Sequence, residues 1–111
     1  MIRNFRPRRF TLPSLTLIVI AVKVAEGIVE VKNKLGLHLR AASTLAQTAA
    51  RFASTVTVTR ARETVSARSV TGLMMLGAGS GTKLKLRAEG PDADEALKAL
   101  QALFANKFGE E

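Results

Sequence analysis

Between residues 27 and 53 the hydrophobic repeat of this chain changes from two residues to three or four. The change falls on a glycine followed by the only histidine. Gly27-Ile28-Val29-Glu30-Val31-Lys32 alternates as a strand with one buried face. After Leu35-Gly36-Leu37-His38, residues Ala42, Leu45, Ala46, Ala49, Phe52 and Ala53 recur at helical spacing, with polar Thr44, Gln47 and Arg51 between them. A chain patterned in this way runs from a strand through a glycine turn into a helix. It places His38 at or just before the first helical turn, where unpaired backbone N–H groups and a positive partial charge favour an anion such as phosphate. The free imidazole is a nucleophile. Two residues on, Arg40 offers a planar guanidinium to the oxygens of whatever that imidazole attacks. The pattern points to a phosphoryl-accepting histidine. A lone histidine at a helix start also serves as a plain cap, so the reading gains its weight from a second stretch further along.

The rest of the chain alternates between the same two periods. Thr55-Val56-Thr57-Val58-Thr59-Arg60 is strictly alternating and predicts a strand. Ala61-Arg62-Glu63 makes the turn without the Gly or Asn that a tight hairpin prefers, and Thr64-Val65-Ser66-Ala67 pairs back. The second informative stretch follows, Arg68-Ser69-Val70-Thr71-Gly72-Leu73-Met74-Met75-Leu76-Gly77. Ser69 suits the cap of a short helix and Gly77 its end. The apolar run exceeds what one buried face needs, so part of it is expected to be a docking surface, with one of Met74 and Met75 filling the core. Gly79-Ser80-Gly81 is a turn, and Thr82–Glu89 alternates as a strand with one wet face. Gly90-Pro91-Asp92 opens a last helix, Asp92 and Glu95 forming a capping-box-like start. Ala96, Leu97, Leu100, Leu103, Phe104 and Phe108 form its core stripe. The order is β-α-β-β-α-β-α, an α+β domain with one four-stranded antiparallel sheet and helices on one face.

Composition removes several classes of function. At 111 residues the chain is one domain, with no cysteine and one histidine, which excludes disulfides, thiolate chemistry and a Cys- or His-rich metal site. No G-x-S-x-G or Walker loop is present. No metal and no cofactor is expected, nor is a conventional self-contained hydrolase. The net charge of +8 resembles that of a nucleic-acid binder until it is located. Residues 1–25 hold Arg3, Arg6, Arg8, Arg9, Lys23 and no acid, leaving 12 basic against 9 acidic residues elsewhere. The domain is mildly basic, which favours acidic protein partners. No strand carries the stacking aromatic that an RNA-recognition sheet requires.

Residues 1–25 read as an extension ahead of a domain at 26–111. A basic opening leads into the apolar Phe10–Val22 stretch, which is too short to span a bilayer, a task needing about 20 residues. The layout is signal-like, with a passable Val19-Ile20-Ala21 cleavage site. An extra strand or disordered arm, or translated upstream sequence, are the competing readings, and a non-functional extension is favoured over export.

The order of elements and the two stretches together resemble the HPr family, the histidine-containing phosphocarriers of the bacterial phosphotransferase system and its nitrogen-related branch. Gly36-Leu37-His38-Leu39-Arg40-Ala41-Ala42 is similar to the family's G-L-H-A-R-P-A. Ala67-Arg68-Ser69-Val70-Thr71-Gly72-Leu73-Met74 is similar to its regulatory A-K-S-I-M-G-L-M. The resemblance covers about residues 26–108 and implies an open-faced β-sandwich. It also implies a cytoplasmic, monomeric phosphoryl carrier that is not itself an enzyme. Enzyme I would pass a phosphoryl group from phosphoenolpyruvate to His38, with Arg40 as charge partner. A sugar-specific A component or a regulatory acceptor would receive it. Ser69 would be the target of an HPr kinase/phosphorylase, and Leu39, Ser43, Val70, Thr71 and Met74 would form the partner surface.

Three positions depart from the family pattern. Ala41 stands for the usual proline and loses its preset φ at what the motif makes the first helical position. Leu39 replaces a smaller residue and Thr71 a bulkier apolar one, which alters the fit to a standard enzyme I. The alternatives are a family member that regulates by binding alone, and a small basic RNA-binding α+β domain.

Overall fold

The alternating stretches become four strands of one antiparallel sheet: β1 (Lys23–Glu30), β2 (Thr55–Arg60), β3 (Glu63–Ser66) and β4 (Lys83–Gly90), in the order β1-β4-β2-β3. Three helices alternate with them: α1 (Leu39–Ala49), α2 (Val70–Met75) and α3 (Ala93–Ala105). The computed structural model describes residues 23–110. The signal-like leader through Val22 and the final Glu111 lie outside the described residues. The order is the expected β-α-β-β-α-β-α, and the class is α+β.

β4 is central and shows why the sheet has one dry face. Leu84, Leu86 and Ala88 are buried while Lys83, Lys85 and Glu89 are exposed. Val29 of β1 and Val56 and Val58 of β2 extend the dry side. Leu45 of α1, Leu73 of α2, and Leu100 and Phe104 of α3 cover it. Each such side chain, fully buried, contributes about 1.5–3 kcal/mol. The other face is polar. Glu26 sits 3.5 Å from Lys85 Nζ and 3.6 Å from Arg87 Nε, in half-exposed pairs that are worth about 1 kcal/mol at most.

Several local expectations are corrected. β1 begins at Lys23, opposite Gly90, so the sheet takes in residues 23–25 that the shift in composition assigned to the extension. α1 ends at Ala49, and Phe52 reaches the core from the following turn. In α2 the inward residue is Leu73, followed by Leu76 at the cap, and both Met74 and Met75 are exposed, so neither methionine is core filler. Asp92 precedes α3 without capping it through its side chain. Phe108 lies beyond α3, in a short turn at Lys107–Gly109.

Candidate functional site

The approach to His38 is built by the loop after β1. Val31 N–H donates to Thr82 O at 2.9 Å, Gly81 N–H to Val31 O at 2.7 Å, and Leu37 N–H to Ala78 O at 2.9 Å. The loops at 31–37 and 78–82 are thereby tied together. Gly36 adopts φ +73°, and a Cβ there would stand 2.7 Å from Ala78 O. Only glycine meets both the left-handed backbone and this close approach. The chain leaves Gly36 so that His38 becomes the N-cap of α1, with φ −82° and ψ −176°. Its carbonyl accepts the Ala42 N–H at 2.8 Å, and its Nδ1 accepts the Arg40 N–H in a long contact of 3.2 Å. One ring nitrogen thus faces the open end of the helix.

The other ring nitrogen is held from the far end of the chain. After α3, residues Lys107, Phe108 and Gly109 take φ of 57°, 54° and 75°, a left-handed turn that folds the tail back. Phe108 anchors it, buried edge-on against Phe104 with ring centroids 4.9 Å apart. Glu110 then reaches the site. Its Oε2 lies 2.8 Å from His38 Nε2, and its Oε1 accepts from Asn33 Nδ2 at 3.0 Å. Asn33 is fully buried and its Nδ2 also donates to Gly36 O at 2.7 Å, while its Oδ1 has no partner among the described residues. The Asn33 amide is the main cause that holds the Glu110 carboxyl below the usual glutamate range. The contact with His38 and the nearby Arg40 charge act the same way, and partial desolvation opposes them.

The expected residues fall as follows. Arg40 is exposed, the second residue of α1, and its backbone rather than its guanidinium contacts His38. Leu39 is the first helical residue, so Ala41 is the third, not the first as the motif suggested. The N–H groups of the first turn have no intrahelical partner, which is why proline is tolerated there and why alanine instead keeps a donor. Ser69 caps α2 as expected, accepting the Gly72 N–H at 3.0 Å. Leu39 and Ser43 lie on α1, and Val70, Thr71 and Met74 on α2, helices that pack against each other. Leu39 and Met74 are exposed. Asn33 and Glu110 escaped the sequence reading. They stand 77 residues apart, and no periodicity connects a loop asparagine with an acid at the tail.

A partly exposed imidazole with one nitrogen directed at the N–H donors of the helix start and the other on a carboxylate suits reversible attachment of an anionic group. Comparison with known proteins gives the same class. A family model described as "PTS HPr component phosphorylation site" matches residues 25–106. The chain is 51% identical over 78 residues to the phosphocarrier protein HPr of Cupriavidus necator, covering 70% of this chain and 88% of that protein. It is 46% identical over 82 residues to the phosphocarrier protein NPr of Shewanella violacea, covering 74% and 90%. The crystal structure of HPr-C-His from Thermoanaerobacter tengcongensis superposes with a TM-score of 0.76 at 47% identity, covering 78% of this chain and 98% of that one. Fold and relatives define a small phosphocarrier domain, a carrier and not a catalytic enzyme. The chain belongs to the HPr family of the phosphotransferase system. Neither the binding-only nor the RNA-binding alternative is favoured by these matches. Among the described residues no helix is long and apolar enough to cross a membrane.

Proposed function

We propose that His38 is the residue that carries the phosphoryl group, through Nδ1. The observation that supports this most directly is the Nδ1 contact with the Arg40 N–H at the start of α1. A phosphoryl group on that nitrogen lies against the free donors and positive end of the helix. The donor is an enzyme I-type protein charged from phosphoenolpyruvate, and the acceptor a sugar-specific A component or a regulatory protein. The exchange takes place in the cytoplasm. Arg40 contributes a mobile guanidinium to the phosphoryl oxygens. Leu39, Ser43, Val70, Thr71 and Met74 form the face on which donor and acceptor dock in turn, and Ser69, at its edge, is the regulatory position for a kinase. Residues 1–22 take no part in the transfer.

Incubation with enzyme I and labelled phosphoenolpyruvate tests the reading. One acid-labile, base-stable phosphate per chain is expected, and none in His38→Ala. Undiminished labelling of His38→Ala removes His38 from the role.

A further inference from the structure

We infer that Glu110, anchored by Asn33, is a positioning residue that fixes the tautomer of His38 and balances the charge its ring gains on phosphorylation. The inference rests on the phosphocarrier reading of His38 and adds the device that keeps its reacting nitrogen free. Two contacts give the imidazole its tautomer. Nδ1 faces a donor, the Arg40 N–H, and so presents its lone pair. Nε2 faces an acceptor, the Glu110 carboxylate at 2.8 Å, and so carries the proton. Glu110 in turn is oriented by Asn33, whose amide cannot be reversed without setting Oδ1 against both Gly36 O and the carboxylate. The cost of this orientation is visible in the buried Oδ1 of Asn33, which has no partner among the described residues. A buried amide that leaves its own carbonyl unpaired in order to hold a carboxylate is explained by the orientation it enforces. The left-handed turn at Lys107–Gly109, locked by Phe108 on Phe104, delivers Glu110 to this position.

The transfer step shows what the arrangement does. The Nδ1 lone pair forms the new N–P bond as the donor's bond to phosphorus breaks, and that bond's electron pair leaves with the donor. The proton on Nε2 stays in place, so the ring becomes cationic, and the Glu110 carboxylate lies against it. On transfer to the acceptor the N–P electrons return to Nδ1 and the original tautomer is restored. A carboxylate that orients an imidazole and stabilises the imidazolium without taking its proton is an established device in serine hydrolases.

Glu110→Gln tests this on the full chain. The glutamine oxygen is claimed by the Asn33 amide, so its NH2 faces Nε2 and favours the tautomer with the proton on Nδ1. Nitrogen-15 NMR of His38 in the unphosphorylated protein is expected to show Nε2–H in the wild type and a shift towards Nδ1–H in Glu110→Gln. Phosphoryl transfer should slow by about tenfold, by analogy with the lower end of the losses seen when hydrogen-bond partners of metal-binding histidines are removed. Asn33→Ala, which frees the carboxylate without removing it, should give a smaller loss in the same direction. Folding is checked by circular dichroism. If the tautomer and the rate are unchanged in Glu110→Gln, Glu110 is not a positioning residue. If the wild type takes no phosphate on His38, the carrier reading fails, while the tautomer measurement still decides the role of Glu110.

Discussion

Asp92 stands before α3 but spends its carboxylate on Ser54. It accepts the Ser54 N–H at 2.8 Å and the Ser54 hydroxyl, and also the Ala53 N–H at 2.9 Å. The turn after α1 is thereby pinned to the start of α3, beside Gly90, whose missing side chain makes room for Ser54. These hydrogen bonds, led by that of the Ser54 hydroxyl, hold the Asp92 carboxyl below the ordinary aspartate range. Because the folded value is lowered, the stabilisation is complete above the ordinary range and is lost as the pH falls through the folded value. Asp92→Ala should therefore melt a few degrees lower at neutral pH, and the gap to the wild type should close in acid. Thermal melts across the acid range check the sign.

Ala61 concerns stability alone. It sits in the two-residue turn between β2 and β3 at φ 54°, a left-handed conformation that costs an L-residue about 1–2 kcal/mol. Glycine removes that cost and adds about 0.5–1 kcal/mol of backbone entropy. Ala61→Gly should stabilise the domain by roughly 0.5–1 kcal/mol, read from urea unfolding with an unchanged m-value.

What was legible in the sequence was set by local physics. The alternation of Thr55–Arg60 and Thr82–Glu89 became β2 and β4 because period two leaves one face no choice but burial. His38 and Ser69 were legible as helix starts because caps are decided within a few residues. Asp92 deceived for the same reason. Its spacing to Glu95 satisfied a local rule, while a donor pair 38 and 39 residues away offered its carboxylate more. Met74 and Met75 were indistinguishable from core by hydropathy, since their exposure depends on which way a six-residue helix faces. Glu110 was out of reach because its position is made by a left-handed turn of Lys107 and Phe108, neither a residue type that announces one.

The extent of the domain follows from β1. Lys23–Ala25 pair with Gly90, Glu89 and Ala88, so a chain beginning at Lys23 should fold and take up phosphate like the full one. A chain beginning at Ile28 loses five of the eight residues of an edge strand and should be less stable. Equal stability of the two by urea unfolding would show that residues 23–27 are dispensable.

Arg40 is exposed and its guanidinium is free of hydrogen bonds and ion pairs among the described residues. Arg40→Ala should leave stability within about 0.5 kcal/mol of the wild type. It should slow transfer about tenfold or more, since a hydrogen bond to a charged group is worth about 1.5–3 kcal/mol. Arg40→Lys restores the charge without the planar pair of donors and should recover part of the rate. Transfer at the wild-type rate in Arg40→Ala would leave the phosphoryl group to the helix start alone.

Ser69 joins the α2 cap to the proposed docking face. Its hydroxyl accepts the Gly72 N–H at 3.0 Å, and the next two residues, Val70 and Thr71, belong with Met74 to the proposed partner surface. The adjacent Arg68 guanidinium is already engaged on Phe52 O at 2.7 Å. A phosphate on Ser69 would find the favourable end of a short helix and need not disturb the fold, yet it would bring about −1.5 to −2 charges to the edge of that surface. Desolvating such a charge against a partner is costly, and acidic groups on the partner would repel it. Phosphorylation of Ser69 is therefore expected to block docking and leave the chemistry at His38 intact. Ser69→Asp, with a single charge, should raise the apparent KM for the donor protein more than it lowers kcat. Ser69→Ala should transfer nearly as well as the wild type and lose about 1 kcal/mol of stability with the cap. Steady-state transfer rates separate the two roles: wild-type efficiency in Ser69→Asp would reduce Ser69 to the cap of α2.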